Sequence, residues 1–246
     1  MKKFRWEIFT GLILIVISFS LYGLHYHFFH DKHHLFIYGL GELAFLPLEV
    51  FIVSLVLHRL LVFREKKSMH SKMNMLIGSF YSEVGNELLR KLATQDSNMP
   101  GIGTQLAVEA TWKDRDFYKA SKKALTYNPD LNLSAPNLDC IKKQLVSQRD
   151  FLNSLMQNPV LLEHDSFTDL LLASFHLLEE LSYRDDFSQL SVNDKNHLNG
   201  DVDRTYTLLI TEWINYTKHL KSHYVYLFSL AVRVNPLNSQ IDVKMR

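Results

Sequence analysis

Residues 35–63 read LFIYGLGELAFLPLEVFIVSLVLHRLLVF. The run is apolar. As a helix rising ~1.5 Å per residue it exceeds the ~30 Å hydrocarbon core of a bilayer. Inside it stand Glu42, Pro47 and Glu49. The two glutamates are one heptad apart, which leaves them ~20° apart around a straight helix, on one face. Counted from Leu35, Glu42 lies ~10 Å and Glu49 ~21 Å along the axis, so Glu49 falls near mid-bilayer. A charged carboxylate at that depth costs on the order of 3 kcal/mol, so it is expected to face another helix, line a wet cavity or hold a proton. Pro47 has no N–H and frees the carbonyl of Leu43, which lies between the two glutamates along the helix. Two readings follow. Glu42, Glu49 and Pro47 line a cation or proton path at an oligomer axis, or they make contacts between helices that hold subunits together. One pair of spans is too small to enclose a pore, so conduction requires several copies.

Upstream, residues 8–29 form a second apolar run, IFTGLILIVISFSLYGLHYHFF. It reads as a retained span rather than a cleaved signal, because it ends in bulky aromatics and histidines and another apolar run follows at once. Lys2, Lys3 and Arg5 precede it; the connector between the runs holds His30, Asp31, Lys32, His33 and His34; and Arg59, Arg64, Lys66, Lys67 and Lys72 follow the second run. Positive charge thus flanks both outer ends, which places them in the cytoplasm and the connector outside. The expected topology is a transmembrane hairpin over 1–63, with spans at about 8–29 and 35–57, in the cell's inner (plasma) membrane. Arg64, Lys66, Lys67 and Lys72 are expected to meet anionic lipid, at ~1 kcal/mol each near the surface.

Beyond residue 64 no run reaches transmembrane length. Met73, Leu76, Ile77, Phe80, Val84, Leu88 and Leu92 recur at three- and four-residue steps, so 64–94 reads as a helix continuing from the second span. Residues 95–246 read as an all-α cytoplasmic domain. Helices are expected over 109–125, 137–157, 165–183 and 201–232, with breaks around Pro100, Pro129, Pro136 and Pro159. No alternating strand pattern appears. The fold class is therefore all-α: a two-helix transmembrane hairpin followed by a helical bundle.

The net charge of +1 gives no argument for nucleic acid, and none is expected as a partner. The single cysteine, Cys140, excludes an intrachain disulfide and reads as a small buried residue. No glycine-rich phosphate loop or serine-nucleophile elbow is present, and no motif names a cofactor. Five histidines crowd the outer end, at 25, 27, 30, 33 and 34. On a continuous helix His27, His30 and His34 would share a face and could hold zinc or copper. In the domain, Glu83, Glu87, His176, Glu179, Glu180, His197, Asp201, Glu212 and His219 supply metal-ligand types. A di-iron bundle needs two Glu-x-x-His motifs, and neither is present.

Three stretches carry a resemblance: GELAFLPLEVFIVSLVLHRLL at 41–61, FYSEVGNELL at 80–89, and HLNGDVDRTYTLLITEWINYTKHLKSHYVYLFSLAVRVNP at 197–236. They resemble a family of functionally uncharacterised small prokaryotic membrane proteins with two N-terminal spans and a helical cytoplasmic domain. The resemblance supports the topology and implies no activity. The reading is thus an oligomeric, membrane-anchored sensory or scaffolding protein. A cation channel and a membrane-anchored metal-dependent enzyme are the alternatives.

Overall fold

The computed structural model describes residues 2–162 and 164–238. They divide into two compact units, Met1–Lys66 and Lys67–Arg246. Among the described residues the chain is helical, without strands; a single bridge joins Asp96 and Leu131.

In the first unit α1 runs over Lys2–Phe29, and α2 begins at Lys32 in a helix that continues to Phe80. The chain reverses at His30, whose φ of 49° is left-handed. Asp31 Oδ1 accepts from the backbone N–H of His34 at 3.1 Å and so caps the new helix. Within these helices Ile8–Phe29 and Lys32–Glu65 are long and apolar enough to cross a membrane, and none of either apolar window is buried.

The second unit opens with the last turns of α2, which pass into a π-helical turn, Tyr81–Gly85, and then α3, Asn86–Gln95. The Asn86 N–H donates to the carbonyl of Tyr81, five residues back. The Val84 carbonyl, within this turn, accepts from the Gln144 side-chain amide at 3.2 Å. Tyr81 lies across Gly85 so closely that a Cβ there would stand 2.6 Å from Tyr81 Cδ1 and 2.9 Å from Phe80 Cε1. Its ring packs edge-on to Trp213 and flat on Tyr216, and its hydroxyl donates to the Leu209 carbonyl at 2.9 Å.

The remaining helices are α4 Met99–Leu106, α5 Asp114–Leu125, α6 Ala135–Ser147, α7 Arg149–Met156, α8 Pro159–Leu162, α9 Asp165–Ser182, α10 Val192–His223 and α11 Val225–Arg233. The long α10 is the centre; it packs mainly against α9 and α5. Its Tyr206, Leu209, Ile210, Trp213 and Ile214 meet Phe80, Leu88, Ile141, Phe167 and Leu177 in one core. Each fully buried aliphatic or aromatic side chain contributes ~1.5–3 kcal/mol.

Several expected boundaries move. Pro100 and Pro136 sit in the first turns of α4 and α6, where a missing N–H loses nothing, so they start helices rather than interrupt them. Pro159 likewise opens α8. The helix expected from 109 starts only at Asp114, because Asp116 accepts from the Lys113 N–H at 2.8 Å and fixes the start there. The helix expected over 137–157 divides at Gln148. The last helix starts nine residues earlier than expected, at Val192, where the Ser191 hydroxyl accepts from the Asp194 N–H at 3.1 Å, and it breaks at Tyr224. Cys140 is exposed, not buried.

Candidate functional sites

In the first unit Tyr22 of α1 donates its hydroxyl hydrogen to Glu42 Oε2 of α2 at 3.0 Å. Glu42 therefore has a partner within the hairpin, whereas Glu49 is exposed along α2. Pro47 lies inside α2, which runs through it. The three outer histidines do not share a continuous helix, because α1 ends at Phe29 and His30 is left-handed. His34 instead packs tilted against Tyr38 at 4.5 Å and lies parallel to His25 at 6.2 Å, while His27 neighbours His30. Arg64 and Lys72 are exposed; the side chains of Lys66 and Lys67 lie outside the described residues.

In the second unit most of the ligand-type residues are dispersed in separate contacts. Glu87 pairs with Lys91 at 2.7 Å, Glu179 with Arg149, and Glu212 accepts from Asn215 at 3.1 Å. Glu83 is exposed, and His219 stacks on His223 at 4.4 Å. Four residues converge instead: His176 and Glu180 from α9, His197 and Asp201 from α10. Each pair is spaced i, i+4, which puts both members on one helix face a turn apart. His176 Nε2 lies 3.2 Å and His197 Nε2 3.3 Å from the same oxygen, Asp201 Oδ2. His197 Nε2 is also 3.6 Å from Glu180 Oε1. The ligand atoms of His176, Glu180 and His197 all fall within 4.8 Å of one another.

Two arginines frame this cluster. Arg184 donates to Glu180 Oε2 at 2.6 Å, and Arg204 stands 3.5 Å from Asp201 Oδ1. The Arg184 hydrogen bond holds the Glu180 carboxyl below the usual carboxylate range. The two histidines are about half exposed, whereas Asp201 is 3% exposed.

A second buried carboxylate shows how a structural one is treated. Asp96, 4% exposed, accepts at Oδ1 from the N–H groups of Asn98 and Asp130, both at 3.0 Å, and at Oδ2 from the Tyr127 hydroxyl. These bonds tie the 96–98 turn to the 127–130 loop. Asp96 is saturated with donors. Asp201 Oδ2 is buried and makes no hydrogen bond. Between the two lies an open cleft of about 680 Å³, lined by Tyr127, Asp169, His176, Asp203, Arg204 and apolar side chains. Burial, then the charges of Asp96 and Asp130, push the Asp203 carboxyl up.

The His-x-x-x-Glu and His-x-x-x-Asp pairs are visible in the sequence. A search for Glu-x-x-His passes over them, and the sequence does not show that the two helix turns abut.

The chain matches two family models. Residues 2–61 match "MJ1433, N-terminal helical domain", and residues 69–233 match "Uncharacterized protein MJ1433, C-terminal helical domain". A relative from Methanocaldococcus jannaschii, "Uncharacterized protein MJ1433", is 39% identical over 240 residues, covering 98% of this chain and 96% of the relative. No solved structure matches. With both helical domains matched in order and the relative aligned almost end to end, the chain belongs to the MJ1433 family of helical proteins.

Proposed function

We propose that this chain is a two-span protein of the inner (plasma) membrane, with both outer ends of the hairpin and the helical domain on the cytoplasmic side. It acts as an oligomeric, membrane-anchored sensory or scaffolding protein. The observation that carries this reading is the unburied apolar surface of α1 and α2. Phe36 is 81%, Leu40 71% and Phe63 68% exposed, in an almost unbroken series from Ile8 to Phe63. Soluble monomers rarely show contiguous apolar patches beyond a few hundred Å², so a surface of this extent needs lipid or protein over it. The basic flanks orient it, and exposed Arg64 and Lys72 suit anionic headgroups.

Glu49 supports the oligomer. It lies near mid-span and is exposed on one chain, and a lipid-facing carboxylate there is unfavourable by on the order of 3 kcal/mol. A second copy supplies the missing partner. Glu42, bonded to Tyr22, fits an interhelical contact rather than an ion ligand. This favours the scaffold over a cation channel, which remains the alternative for Glu49.

Cysteine-accessibility labelling tests the placement. A cysteine at position 32 should react from outside intact cells, and one at position 66 only after permeabilisation. The reverse pattern sinks the orientation; equal labelling of both in a soluble fraction sinks the anchor.

A further inference from the structure

We propose that His176, His197, Asp201 and Glu180 form a binding site for one divalent first-row transition ion of the zinc type. The site goes beyond the membrane reading and does not depend on it.

The distances carry the first step. Zinc bonds to imidazole nitrogen and carboxylate oxygen are about 2.0–2.1 Å, so neighbouring ligand atoms of a tetrahedral site stand about 3.3–3.4 Å apart. Three of the six separations among these residues are 3.2, 3.3 and 3.6 Å, and the ligand atoms of His176, Glu180 and His197 all lie within 4.8 Å of one another. They involve ligand atoms from two helices, each contributing an i, i+4 pair. Both imidazoles present Nε2 to one point, with their planes 81° apart.

The second step is the orphaned oxygen. Asp201 is 97% buried by its 3% exposure, and its Oδ2 makes no hydrogen bond although two ring nitrogens lie within 3.3 Å. An unsatisfied buried carboxylate oxygen is unfavourable and calls for a partner. A tetrahedral ion explains both facts. The ring nitrogens and this oxygen then bond the ion in place of a hydrogen bond between them. Asp96, in contrast, meets its donors squarely and needs no ion.

The third step is orientation. Each carboxylate turns one oxygen to the histidines and the other to an arginine: Glu180 Oε2 to Arg184, Asp201 Oδ1 to Arg204. Such outer contacts fix the facing oxygen and are the usual support of a metal site. Two neutral imidazoles and two carboxylates balance the charge of a divalent ion, and this mixed nitrogen–oxygen set suits zinc and its neighbours rather than calcium or magnesium. The cleft beside His176 gives the ion a route from solvent.

The test uses full-length protein in detergent, stripped with chelator and titrated with zinc chloride by calorimetry. His27, His30 and His34 are replaced with Ala in the background so that the outer histidines do not contribute. We expect one zinc per chain, and a strong visible band when cobalt(II) is substituted, as four-coordinate cobalt gives. His176→Ala/His197→Ala, at half-exposed positions that leave the core intact, should weaken binding by more than the roughly 10–100-fold loss typical of an outer partner. Asp201→Asn should do the same; circular dichroism and gel filtration check the fold of each variant. Failure to take up zinc stoichiometrically, or uptake unchanged in the histidine pair variant, overturns the site. Neither result bears on the membrane placement, which the labelling experiment reads separately.

Discussion

Replacing Gly85 with Ala should destabilise the helical domain, against the general rule for glycine in a helix. The rule favours Ala by ~1 kcal/mol. At Gly85 the added methyl would stand 2.6 Å from Tyr81 Cδ1 and 2.9 Å from Phe80 Cε1. Carbon atoms rest at about 3.5–4.0 Å, so the overlap approaches 1 Å. Neither ring has room to retreat. Tyr81 is held by its bond to Leu209 and by Trp213 and Tyr216, and Phe80 is edge-on to Phe167 at 5.3 Å. Overpacking of this kind costs about 1–3 kcal/mol, and the close contact puts it in the upper half. Net of the propensity gain, the loss is about 1–2 kcal/mol. At ~2–4 °C per kcal/mol for a domain of this size, the midpoint should fall about 2–8 °C. Gly200, in α10, has nothing within 4 Å of its would-be Cβ, so Gly200→Ala should raise stability by up to ~1 kcal/mol. Thermal unfolding of both variants with chelator present, followed by circular dichroism, makes the comparison. If Gly85→Ala unfolds at or above the wild-type midpoint, the packing account of the π turn is wrong.

Three further outcomes are expected. Asp203→Asn should stabilise at pH 7. Burial and the charges of Asp96 and Asp130 raise its folded pKa, so the charged form is a penalty present above that pKa and absent below the unfolded value of about 3.9. The midpoint difference should vanish near pH 3.5, and a gain that persists there refutes the cause. Zinc affinity at His176, His197 and Asp201 should be lower in acid, because a protonated imidazole cannot bind; calorimetry at pH 5.5 and 7.5 reads it, and equal affinities count against histidine ligation. Glu49→Leu should weaken self-association in detergent by roughly 0.6–2 kcal/mol while Glu49→Gln largely preserves it; sedimentation that shows no difference removes Glu49 from the subunit contact.

The helices of the domain are legible from residue spacing wherever one face is buried against the rest. Leu138, Ile141 and Leu145, or Leu170, Leu171, Leu178 and Leu181, recur at helical steps and are all in the core. What the spacing does not carry is where a helix pauses. The break at Gln148 leaves the apolar period almost undisturbed, so Leu152 and Leu155 read as a continuation of α6. Prolines misled in the other direction: at the first turn they are compatible with a helix, and only the following periodicity tells a start from a stop. The histidine–carboxylate cluster was half legible. Each i, i+4 pair is local, but the convergence of both on Asp201 Oδ2 is a property of how α9 lies on α10.

The π turn also bears on chain length. A turn bonded i to i+5 holds about one residue more than the α turn it replaces, so removing one residue from Tyr81–Gly85 would let the chain continue as an ordinary α-helix with the segments on either side in nearly the same phase. Met73, Ile77 and Phe80 would stay in phase with Leu88, Leu89 and Leu92, and all six would still face the same core. At this point of the chain one residue can be lost without turning the helix, whereas the same deletion in the adjoining α-helical turns would swing one side against the other by ~100°.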